Sequence, residues 1–241
     1  MMVRRKVLSA IAGCAATLLC GCDVNSPTMD YIWQEPHYPK LKVEVETPEG
    51  IKTGYSVIEV KWNKAGKGYN VRGEAVAVDL PKGQTLFILL TSASNVDWAA
   101  WLHQIVKLEN SPEDQALYYS RIAANRQVWM IPRTKEYFGN KEQHDNYPYF
   151  VRFRDINDPK SVEQVDPDDM AKTFGPGVKL KSFTMQMTSE PMTEGIERRL
   201  GWLKNYAERS YRLNGSNSLV ISTNELSDVI GTSSFSVGFR K

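Results

Sequence analysis

The sequence predicts an α+β fold, an antiparallel β-sheet with helices packed on one face, in a single compact domain. Three observations predict it. Apolar and polar residues alternate through much of the first ninety positions. The spacing then turns helical at Trp98. Strand and helix patterns interleave from there to the end, with no internal repeat, coiled coil or low-complexity block.

LKVEVETPEG opens the folded part. Leu41, Val43 and Val45 share one face, Lys42, Glu44 and Glu46 the other, and Pro48-Glu49-Gly50 supplies a turn. SVIEVKW continues as a strand with Ile58, Val60 and Trp62 on one face, and Lys64 to Gly68 reads as a loop. GEAVAVDL-PKGQ-TLFILL predicts a hairpin whose second strand is apolar on both faces and therefore central. The first ninety residues thus read as an antiparallel meander.

SNVDWAAWLHQIVKLE then places Trp98, Trp101, Leu102, Ile105 and Leu108 at helical spacing behind a Ser94 or Asn95 cap. Ser111-Pro112-Glu113-Asp114 starts a second helix, to about Asn125. Gln127 to Ile131 suits a strand, residues 133–147 an exposed polar loop, and YFVRFRDI another strand. Asp166-Pro167-Asp168-Asp169 opens a short helix closed by Gly175. VKLKSFTMQMT is a strand whose apolar phase slips between Leu180 and Phe183, the sign of a bulge. Thr193 to about Tyr206 predicts a helix with Ile196, Leu200 and Leu203 inward. SLVIST, a short NELSDVI turn or helix, and SSFSVGF follow.

Residues 1–21 have a different character. Arg4, Arg5 and Lys6 precede an apolar run from Val7 to Leu19. That run is shorter than the about 20 residues a bilayer span needs, which is the pattern of a secretory signal peptide. Arg4-Arg5 matches a twin-arginine export signal only in part, so ordinary Sec export is expected. Leu19-Cys20-Gly21-Cys22 resembles a bacterial lipobox. The resemblance implies cleavage before Cys22, a diacylglycerol on its sulfur, and acyl chains such as palmitate holding the protein to a membrane. At about 0.8 kcal/mol per buried methylene, two or three such chains make a lasting anchor. The alternative is an ordinary secretory cut near Gly21 that leaves a free Cys22. Asp23 resembles the sorting signal that keeps enteric lipoproteins in the inner membrane. The expected location is the cell envelope, facing the periplasm, with the inner membrane favoured over the outer. Residues 22–40, polar and proline-bearing, read as a tether, and 41–241 as the globular domain.

Loss of Arg4, Arg5 and Lys6 takes thirty basic residues to twenty-seven, against twenty-eight acids. A near-neutral chain argues against a nucleic-acid partner. With Cys14 and Cys20 in the signal, Cys22 has no second cysteine to pair with.

Chemistry-bearing motifs are sparse. His37, His103 and His144 show no metal-ligand spacing. No Gly-x-Ser-x-Gly elbow or glycine-rich phosphate loop occurs. In DINDPKSVEQVDPDD, Asp155, Asn157, Asp158, Asp166, Asp168 and Asp169 could offer oxygens to calcium. Turns and helix caps explain the same residues, so no cofactor is expected and calcium is the minor alternative. Trp98 and Trp101 read as core packing rather than as a sugar or partner platform. Tyr137, Phe138 and Tyr147 put aromatic rings into a polar loop, the composition of an interface hot spot.

GYSVIEVKW, GEAVAVDLPKGQTLFILL and FRDINDPKSVEQVDPDDMAKTFGPGVKLK resemble the blocks of a family of uncharacterised proteobacterial lipoproteins. The resemblance spans most of the mature chain and implies one family-wide domain, with no activity or site residues. The leading expectation is a membrane-anchored, non-catalytic periplasmic lipoprotein that binds another envelope protein, an immunity-type protein being one form. Two alternatives stand beside it: an envelope enzyme using His103 or the acidic segment, and a carrier of an apolar ligand.

Overall fold

The computed structural model describes residues 36–63, 68–105, 126–136, 143–218, 220–221 and 223–238. The predicted helix at 111–125, the lipobox with Cys22 and Asp23, and the ring pair Tyr137 and Phe138 lie outside the described residues.

Among the described residues, thirteen strands form four sheets, all paired antiparallel. The first sheet runs in the order β2 (Gly50–Val57), β1 (Pro39–Thr47), β12 (Lys179–Met187), β7 (Val128–Met130). The second runs β11 (Val162–Gln164), β10 (Phe150–Phe153), β6 (Gln84–Ile88), β5 (Val76–Leu80). The third joins β13 (Ser236–Val237), β4 (Gly68–Glu74) and β3 (Glu59–Asn63), and a small hairpin joins β8 (Thr134–Glu136) to β9 (Gln143–Asp145).

The α+β expectation is therefore corrected: strands, not helices, build most of the layers. The α-helices among the described residues are α1 (Met170–Phe174), α2 (Ile196–Arg199), α3 (Leu203–Glu208) and α4 (Leu226–Val229). Helices of four to six residues are too short to present a long apolar stripe. The pattern at Thr193–Tyr206 breaks because Leu200 leaves helical angles at φ −110°, ψ 76°, next to Gly201. Trp98–Ile105 winds as a 3-10 helix rather than an α-helix. The expected meander is also corrected, because its hairpins distribute over three sheets.

The alternation read from LKVEVET holds in space. Leu41, Val43 and Val45 face inward and are buried, while Lys42 points out. Across β1, β12 carries Phe183, Met185 and Met187 inward. The register slips between Glu44–Ser182 and Val45–Leu180. This is the bulge that the apolar phase signalled, and Lys181 is the extra residue. Lys181 and Ser182 both reach Glu44, at 3.3 and 3.2 Å.

β6 is central, as its unbroken apolar run implies. Leu86 and Ile88 join the core shared with the first sheet, while Phe87 and Leu89 join a second cluster with Ile196, Leu200, Leu203 and Phe235. The second sheet is thus covered on both faces, which explains the two-sided hydrophobicity. Each such side chain contributes roughly 1.5–3 kcal/mol on burial. Where β2 crosses β5, a Cβ on Gly54 would lie 2.2 Å from the Ala77 carbonyl oxygen, so only glycine permits that approach. β1 begins at Pro39, and His37, assigned to the tether, is buried in a bridge with Val60.

Candidate functional site

A cleft of about 550 Å³ opens where the end of β6 meets the Trp98–Ile105 helix, the Gly231–Ser234 turn and β4. Local hydrogen bonding builds its walls. The Ser92 amide donates to Asn95 O at 2.9 Å, and the Asn95 amide donates to Ser92 Oγ at 3.0 Å. The Asp97 amide donates to Asn95 Oδ1 at 2.9 Å. These short side chains turn the chain from strand into helix within a few residues. Ala99 N then donates to Leu90 O at 3.1 Å, folding the helix back on the strand it left.

Trp98 fixes that helix. Its indole nitrogen donates to Asn146 O at 2.7 Å, and its ring stacks on Phe183 at 6.0 Å. Asn146 is itself held, its side-chain amide donating to Pro132 O at 3.0 Å. The opposite wall is tied on by Leu90 N to Ser234 O at 2.9 Å and by Thr91 Oγ1 to Ser234 Oγ at 2.9 Å.

The cleft exists because small residues line both walls. Ala93, Ala99 and Ala100 stand on one, Gly231, Ser233 and Ser234 on the other. Leu90, Val71 and Ile230 make an apolar floor. Tyr69 and Tyr149 line it as well, and burial pushes both phenols above their usual pKa. The rim is apolar and open: Val96 is 77% exposed and Val229 40%. Trp101 meets the lining residue Tyr69 edge-on at 5.6 Å. Asp97 is the one charged side chain among the described residues lining the cleft.

Of the aromatic residues expected to bind a partner, Tyr147 is among the described residues, and it does not line this cleft. Residues 134–136 and 143–145 pair as the β8–β9 hairpin instead of an irregular loop. Ser94 Oγ contacts Asp145 O at 3.5 Å, so hairpin and cleft are neighbours. Tyr147 is half-buried and turned inward. It stacks on Phe150 at 5.6 Å, meets Phe183 edge-on at 5.4 Å, and carries the Arg133 guanidinium 5.0 Å above its ring. Burial raises its phenol pKa. Trp98 is core, as expected, whereas Trp101 is 39% exposed.

The acidic segment is occupied with its own backbone. Oδ1 of Asp155 accepts from Asn157 N, Oδ1 of Asp158 from Lys160 N and Oδ1 of Asp166 from Asp168 N, at 2.9 to 3.0 Å. Asp169, rather than Asp166, caps α1. Asp168 also meets Arg133 at 3.4 Å. Among the described residues no group of three or more His, Cys, Asp or Glu side chains is placed to hold a metal ion. The two buried acids among the described residues are held by hydrogen bonds within the fold. Glu74 accepts from Ile196 N at 2.8 Å at the start of α2, with its pKa raised by burial, and Asp228 accepts from Asn214 and Thr223. His103 lies on the 3-10 helix and His144 on β9.

Sequence reasoning missed Ala99, Ala100, Gly231, Ser233 and Ser234. Their signal was present as two runs of small residues, WAA and GTSS. Only the fold brings those distant runs face to face. A scan against family models and searches of curated proteins and of solved structures found no match to this chain.

Proposed function

We propose that this protein is a membrane-anchored periplasmic lipoprotein whose β-sheet domain binds another envelope protein at the cleft, without catalysing a reaction. The observation that carries the proposal is the pair of exposed apolar side chains Val96 and Val229 at the edge of a concave floor. Exposed apolar side chains gathered at a cavity are the surface a partner covers, and side chains seated in such a pocket supply most of an interface's energy. The lipobox at Leu19–Cys22 supports the anchor, and Asp23 favours the inner membrane. An immunity-type protein that neutralises a toxin arriving in the periplasm is one form this takes.

The test is capture from native membranes after chemical crosslinking, with Cys22→Ser as the control that loses the anchor. One dominant partner, diminished by Val96→Asp, is the expected result. No stoichiometric partner with several crosslinkers overturns the proposal.

The carrier alternative draws on one observation, the apolar floor of Leu90, Val71 and Ile230, in a volume suited to a small ligand. Extraction of the purified protein into organic solvent, followed by mass spectrometry, distinguishes it: a bound apolar compound in stoichiometric amount favours the carrier.

A further inference from the structure

The rim carries one more feature. The Asp97 carboxylate, exposed at the mouth, has no hydrogen-bond or ion-pair partner among the described residues. This sets it apart from the other carboxylates near the cleft. Asp145 and Asp168 both engage Arg133. No lysine or arginine lines the cleft among the described residues. An isolated negative charge over an apolar, ring-lined cavity favours one kind of occupant: a positive charge carried beside an apolar group. Tyr69 and Tyr149 strengthen the preference, because ring faces attract cations.

Resting on the partner-binding proposal, we infer that the cleft recognises a protruding segment of the partner protein in which an aliphatic or aromatic side chain lies next to a lysine or arginine. The apolar side chain seats on Leu90, Val71 and Ile230. The cation pairs with Asp97 at the mouth, where a rim charge steers association and selects against acidic partners. The walls leave room for a side chain because they are built from alanine, glycine and serine.

The chemistry is testable without knowing the partner. A random heptapeptide library displayed on phage is selected against the full-length lipidated protein in detergent micelles. Counter-selection uses empty micelles, and the enriched peptides are then assayed on Asp97→Asn, Asp97→Lys and Ala93→Trp, substitutions at exposed positions. Enriched peptides are expected to place Leu, Ile, Phe or Trp within two positions of Lys or Arg. Their affinity is expected to fall about fivefold on Asp97→Asn, the scale of one exposed ion pair, and more than about tenfold on Asp97→Lys. Ala93→Trp is expected to abolish binding. Acidic or uncharged enriched peptides, affinities indifferent to Asp97→Lys, or no enrichment overturn the inference. Failure here, with a partner still captured from membranes and lost on Val96→Asp, leaves the partner proposal standing. Failure to capture any partner removes that proposal itself.

Discussion

The outer face of the first sheet and the cleft both expose large apolar side chains, and they differ in what surrounds those side chains. The outer face of the β2–β1–β12–β7 sheet shows Tyr55 at one margin and Val128 and Met130 at the other. Between them the polar groups are already matched. Lys40 lies 4.5 Å over the Tyr55 ring and 2.7 Å from Glu190, and Glu44 takes Lys42, Lys181 and Ser182 together. At the cleft, the apolar residues surround a concavity and the carboxylate at its mouth is unmatched. Exposed hydrophobicity alone is ordinary on a protein surface. The sheet face has a hollow of its own, about 410 Å³ and lined by Lys40, Lys42, Glu44 and Gln186 among others. More apolar residues in the lining and an uncompensated carboxylate are what distinguish the cleft.

The variant expected to have the largest effect disturbs both surfaces at once. Phe183 sits on the inner face of β12 and supports Trp98, Tyr147 and Phe150 by ring contacts. Phe183→Ala is expected to cost about 3–5 kcal/mol in urea unfolding, through lost burial and the cavity it leaves. Ala93→Trp separates the surfaces. It is expected to weaken partner binding by more than about a hundredfold, on the scale of a lost hot spot, with an unchanged unfolding midpoint. Tyr55→Ala on the sheet face is expected to change binding less than about twofold, and an equal loss from both variants would erase the distinction.

Asn146→Ala tests how the cleft wall is held. It removes the side-chain bond to Pro132 O in a buried setting, which is expected to cost about 1–3 kcal/mol in urea unfolding and to loosen Trp98, read as a red-shifted tryptophan emission.

The smallest effect concerns the matched sheet face. The lysine partner Lys42, with Lys181 and Ser182, lowers the Glu44 pKa from 4.5 to about 2. A depressed carboxyl contributes stability that is fully present above its unfolded pKa. That contribution is lost as pH falls from about 4.5 through about 2. Unfolding stability of Glu44→Gln is expected to decline less steeply across that window than the wild type, the difference shrinking in high salt because the group is near the surface. Parallel pH profiles would show that these pairs contribute nothing.

How far the sequence carried differs by element, for physical reasons. The alternation at Leu41–Val45, the bulge near Leu180, and the centrality of TLFILL were legible because strand period and burial are local signals. The helices were overread. Trp98, Trp101, Leu102 and Ile105 have helical spacing, yet the chain there winds as a 3-10 helix, and Gly195 and Gly201 bracket a helix cut to four residues. Pairing across long separations, such as Pro39 with Met187, leaves no local mark. The cleft was illegible for the same reason, since its walls come from residues 90–100 and 229–237. Tyr147 misled because its neighbours are polar while its own ring joins the core.

The most direct measurement places a photo-crosslinking side chain in place of Val96, and separately in place of Tyr55, in the full-length lipidated protein in its own membranes. After irradiation, mass spectrometry identifies the contacted segment. Capture of one protein from position 96 and not from 55, through a segment pairing an apolar residue with a lysine or arginine, is the expected result. Capture from position 55 alone, or from neither position, would contradict the assignment of the cleft as the docking site.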